Sequence, residues 1–138
     1  MALTSDAKVP RRGQRFGRSD FGYPVAPGEK IFRGGIVCLN SSGELVRPQT
    51  TGAEVFAGLA TATYDNSASA AAGPTIVAER GSFALAVGSA GVANINAEVY
   101  ATDDNTFTLT APTTGFTAPI GKINGIENGQ TWVLLEGA

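Results

Sequence analysis

Beyond Pro27-Gly28 the chain is a succession of short apolar runs rich in β-branched residues. Clusters of Gly, Asn, Asp or Pro interrupt them about every 8–12 residues, the spacing of an all-β domain built from short strands. Strands are expected at residues 36–39 and 45–47, joined through the four-residue loop Asn40-Ser41-Ser42-Gly43, with Pro48 ending the second. Residues 55–63 alternate only loosely and hold many small side chains, as in a strand approached closely by neighbouring backbone. Further strands are expected at 75–78 and 82–87. In the latter, Phe83, Leu85 and Val87 alternate with Ser82, Ala84 and Ala86, which predicts one core-facing side. Residues 98–101 and 106–110 flank the turn Thr102-Asp103-Asp104-Asn105, where the two acids read as turn formers rather than a calcium loop, because D-x-[DN]-x-[DN]-G spacing is missing. Two final strands, 119–126 and 130–135, surround Glu127-Asn128-Gly129, and Asn-Gly is a strong short-range hairpin signal. Trp132 and Leu134 fall on one side of the last strand and Val133 and Leu135 on the other, so Trp132 is expected either in the core or at a subunit interface.

Two stretches break this rhythm. Residues 65–74 are small and polar, and are expected to form a mobile surface loop. Residues 1–22 show neither helical nor strand periodicity. Gly13, Gly17 and Gly22 add chain entropy and Pro10 prevents a helix from continuing, so this segment is expected to be a flexible arm, with residues 23–138 as the folded domain.

Charge sharpens the division. Residues 1–33 hold seven basic and three acidic groups, whereas residues 34–138 hold three basic and nine acidic ones. Such opposed halves point to a tail that reaches for a partner. Arg11, Arg12, Arg15, Phe16, Arg18, Phe21 and Tyr23 are the candidate partner-binding residues, since arginine and aromatic side chains dominate binding hot spots. A protein surface is the leading partner. The same composition could pair with phosphates and stack on bases, so a small β-barrel nucleic-acid-binding protein with a basic tail is the alternative.

Catalysis finds little support. The chain has no histidine and one cysteine, so neither a Ser-His-Asp nor a Cys-His nucleophile can be assembled, and a zinc site would need most of its ligands from elsewhere. Cys38 lies in the apolar run Ile36-Val37-Cys38-Leu39 and is expected to be a buried small hydrophobe. The glycine-rich segments Gly34-Gly35 and Gly88-Ser89-Ala90-Gly91 match no phosphate-loop pattern and are read as turns. Scattered Tyr64 and Tyr100 give no carbohydrate-binding platform. No enzyme activity, cofactor, metal or membrane span is expected, and the single thiol fits a reducing compartment.

Several segments taken in order resemble one family. They are Tyr23-Pro24-Val25-Ala26-Pro27-Gly28-Glu29-Lys30-Ile31, Gly35-Ile36-Val37-Cys38-Leu39 and Val55-Phe56-Ala57-Gly58-Leu59-Ala60, followed by Gly81-Ser82-Phe83-Ala84-Leu85, Val99-Tyr100-Ala101-Thr102-Asp103-Asp104-Asn105-Thr106-Phe107, Ile120-Gly121-Lys122-Ile123 and Trp132-Val133-Leu134-Leu135. Over residues 23–138 the chain resembles the capsid cement, or decoration, proteins of tailed bacteriophages. The resemblance implies a small all-β protein, a β-sandwich or barrel of β-tulip-like form with an extended N-terminal arm. It also implies a homotrimer on the outer surface of the virion, binding the major capsid protein and stabilising the shell after synthesis in the host cytoplasm. The length of the arm and the Ala-rich loop at 65–73 depart from the simplest members.

Overall fold

The computed structural model describes residues 1–9, 11–12 and 20–137, with the backbone alone at 11–12. Its strands, in chain order, are β1 (Arg11–Arg12), β2 (Phe21–Pro24), β3 (Lys30–Ile31), β4 (Ile36–Leu39), β5 (Leu45–Val46), β6 (Val55–Ala60) and β7 (Tyr64–Asp65). They continue with β8 (Thr75–Glu79), β9 (Gly81–Ala84), β10 (Glu98–Asp103), β11 (Thr106–Thr108), β12 (Gly121–Glu127) and β13 (Gln130–Leu135). One turn of 3-10 helix at Val92–Asn94 interrupts them. All strand pairings are antiparallel, in sheets of order β1-β9-β13-β12-β10-β11, β2-β8-β6-β4-β5 and β3-β7. The fold is an open sandwich; none of the three sheets closes into a barrel.

The continuous apolar run of β4 is explained by its position in the middle layer. Ile36 and Cys38 face one hydrophobic cluster, with Val46, Phe56 and Leu59, against Phe83, Val99, Ile123, Val133 and Leu135 of the six-stranded sheet. Val37 faces a second cluster with Val25, Ile31, Leu45, Ala57, Ala60, Ile76 and Ala78, on the side of the β3-β7 ribbon. A strand covered on both faces needs no polar alternation. β6 also serves both clusters, Phe56 and Leu59 in the larger and Ala57 and Ala60 in the second, and its pairing register with β4 shifts between Val37 and Cys38, leaving Ala57 as an extra residue between Phe56 and Gly58.

Local signals explain the rest. Asn128 and Gly129 both have positive φ (54° and 74°), as the two-residue turn between β12 and β13 requires. Asn40 holds the β4-β5 loop by accepting the N–H groups of Ser42 and Glu44 on its Oδ1 at 2.9 and 3.0 Å. Phe83, Leu85 and Val87 are buried as their alternation predicts, although β9 itself stops at Ala84. Residues 67–72 are exposed, but the loop is tethered. Asn66, only 3% exposed, donates through Nδ2 to the Ala26 and Ala71 carbonyls at 3.0 and 2.9 Å.

Candidate functional site

The first nine residues lie along the body rather than standing off from it. The Met1 ammonium donates to Thr106 Oγ1 and sits 3.7 Å from Asp103. The Leu3 N–H donates to Asp104 Oδ1 at 2.9 Å, the Thr63 hydroxyl donates to Asp6, and the Ala7 N–H donates to the Arg33 carbonyl at 2.7 Å. Val9 packs against the larger core. β1 then pairs with β9, Arg11 opposite Phe83 and Arg12 opposite Ser82, so the six-stranded sheet acquires its edge from the N-terminus.

Two glycines make room for this strap. A Cβ on Gly34 would lie 2.7 Å from the Ala7 carbonyl carbon and 2.8 Å from its Cβ, and Gly34 has φ +86°. A Cβ on Gly35 would meet Leu3 Cδ1 at 3.1 Å and Asp104 Oδ2 at 3.3 Å. Gly34-Gly35 is therefore a place of close approach by the strap as well as a turn.

Asp103 and Asp104, adjacent in sequence, have different tasks. Asp103 accepts the Asn105 N–H at 2.9 Å and the Thr106 hydroxyl at 3.1 Å, the bonds of a side chain that closes its own turn. Asp104 is 1% exposed, and its Oδ2 lies 3.4 Å from Arg47 Nε. Burial raises the Asp104 pKa, while the Leu3 N–H and the Arg47 charge oppose that rise. Arg47 completes the clasp by donating from Nη2 to the Leu3 carbonyl at 3.3 Å, and its guanidinium lies 4.9 Å from the Phe32 ring centre. Glu29 fixes the Arg47 backbone by accepting its N–H at 2.6 Å and also accepts the Thr50 hydroxyl at 2.8 Å. Nothing in the spacing of these residues marks them as partners.

The candidate partner-binding residues divide by position. Arg15, Phe16 and Arg18 lie outside the described residues, and Arg11 and Arg12 are placed by backbone register alone. Phe21, on edge strand β2, is 61% exposed. Tyr23 is half-buried against the second cluster. Phe21 and Tyr23 share a shallow depression with Ala57, Ala78 and Arg80. Trp132 is 9% exposed, and its Nε1 has no hydrogen-bond partner among the described residues.

Arg80 was not legible as a special residue, yet it joins two surfaces. Its Nε and Nη2 donate to the Ala57 and Phe56 carbonyls at 3.2 and 3.1 Å, and its guanidinium lies 5.4 Å from the Phe56 ring centre. Beyond it runs an open groove lined by Glu54, Val55, Phe56, Phe116 and Glu136. Cys38 is fully buried, and desolvation pushes its thiol pKa far upward, so it supplies no nucleophile in the folded chain. Among the described residues, no group of three or more His, Cys, Asp or Glu side chains could hold a metal ion. Nor is any helix long and apolar enough to cross a membrane. Comparison with protein-family profiles, curated proteins and solved structures returns no match.

Proposed function

We propose that this protein is a capsid cement protein, binding the outside of a tailed-phage head at contacts between major capsid proteins and stabilising the shell as a homotrimer. The supporting observation is where the segments that carry the resemblance fall. Gly35-Ile36 leads into β4, Gly81-Ser82-Phe83 opens β9, residues 99–107 span β10 and β11, and Gly121-Lys122-Ile123 opens β12. These strands build one sandwich around the larger core. Adhesion needs a rigid body with attachment points, and repetition on a lattice allows weak individual contacts to resist a transition in which many must yield together. Phe21 and the basic N-terminal segment supply candidate attachment points.

The test is the copy number of the protein in purified particles, measured by quantitative mass spectrometry against the major capsid protein, with cryo-electron microscopy of the same sample. Near-stoichiometric copies forming density outside the shell are expected. Absence from particles would overturn the reading and favour the nucleic-acid alternative, for which oligonucleotide binding must weaken steeply with salt.

A further inference from the structure

We infer that the surface around Arg80 is a self-complementary contact through which two copies of this chain pair across a two-fold axis. A two-fold interface presents the same patch on both partners, so the patch must contain its own complement. This one does. Arg80 lies between the depression under Phe21 and the groove beside Val55. The same groove carries Glu54 and Glu136, whose exposed side chains make no hydrogen bond or ion pair among the described residues. Phe21 and Val55 leave 61% and 52% of their surfaces open.

The arginine is prepared for such a role. Its bonds to the Ala57 and Phe56 carbonyls and its position over the Phe56 ring fix the guanidinium plane. Less side-chain entropy is then lost when a partner engages the remaining N–H groups. A planar fork meeting a carboxylate gives a two-point contact with a defined orientation. In the paired state Arg80 of each copy meets Glu54 or Glu136 of the other, while Phe21 and Val55 supply the apolar centre. Among the described residues β2 is the last strand of its sheet, so no described strand of that sheet stands between Phe21 and a partner. This contact does not rest on the capsid reading; on a shell it would join neighbouring assemblies.

Sedimentation equilibrium of the full chain over the micromolar range tests it. A monomer-dimer equilibrium is expected, with dissociation favoured by added salt because the charge pairs lie at an accessible surface. Glu54→Lys with Glu136→Lys should raise the dissociation constant at least tenfold, and Phe21→Ser should do so independently. These exposed positions leave the core intact, which circular dichroism and the melting temperature verify. A chain that stays monomeric, assembles only as a trimer, or dimerises equally well with both sets of substitutions would overturn the inference.

Discussion

Replacing Gly34 with alanine tests whether the N-terminal strap is part of the folded state, because two separable effects follow from one methyl group. The first is backbone strain. Gly34 has φ +86°, where an L-residue is disfavoured by about 1–2 kcal/mol. The second is collision. The three atoms nearest the added Cβ all belong to Ala7, and the separations of 2.7 and 2.8 Å to its carbonyl carbon and Cβ are below anything real side chains show. The strap must withdraw, and the Ala7 bond to the Arg33 carbonyl is lost with the Leu3 bond to Asp104. Each such bond contributes roughly 0.5–1.5 kcal/mol net, so the collision should add about 1–3 kcal/mol to the strain. Gly28 is the internal control, since it has φ +78° and nothing within 4 Å of an added Cβ. Urea unfolding should therefore show Gly34→Ala more destabilising than Gly28→Ala by that increment. In a chain lacking residues 1–9 the increment should vanish. Equal effects of the two substitutions in the full chain, or an increment that survives truncation, would refute the reasoning.

Asp104→Asn keeps an acceptor for the Leu3 N–H but leaves the Arg47 guanidinium without its buried counter-charge. Because burial outweighs the Arg47 charge and raises the Asp104 pKa, a neutral side chain is tolerated there, and a loss of only about 0.5–1.5 kcal/mol at neutral pH, from the weaker hydrogen bonds, is expected in denaturant melts. Because the folded-state pKa of Asp104 is raised, its linkage contribution is fully present below the ordinary carboxyl pKa and is lost as pH rises through the raised value; that part of the stability profile should disappear in Asp104→Asn. Asn66→Ala should lower stability by about 2–3 kcal/mol, because the Ala26 and Ala71 carbonyls lose their donor. It should also speed proteolytic cleavage within residues 67–72, read by mass spectrometry. The Cys38 thiol, buried and shifted upward, should resist a disulfide reagent under native conditions and react in urea only as fast as the chain opens.

Local chemistry made much of this fold legible. The Asn128-Gly129 turn, the Asn40 loop and the alternation through Phe83, Leu85 and Val87 are each decided by neighbours in sequence, and each is found in place. Features settled by distant contacts were not legible. Asp103 and Asp104 look alike in sequence, but only the second is covered by Leu3 and Arg47. Residues 1–9 lack periodicity because isolated hydrogen bonds to separate loops hold them, rather than one packed face. Phe21 and Tyr23, read as candidate partner-binding residues, both lie in strand β2, and Tyr23 packs on the second cluster. Arg80 has no sequence signature, since its setting depends on the β6 bulge beneath it.

The strap also sets an order of events during synthesis. Leu3 is made before its partner Asp104, which follows 101 residues later. At typical elongation rates that delay is roughly 5–20 s. Throughout it residues 1–9 are already made while the Asp104 that holds Leu3 does not yet exist. The strap therefore closes on the body only after the turn following β10 has been made, so it is a late event in the assembly of the fold.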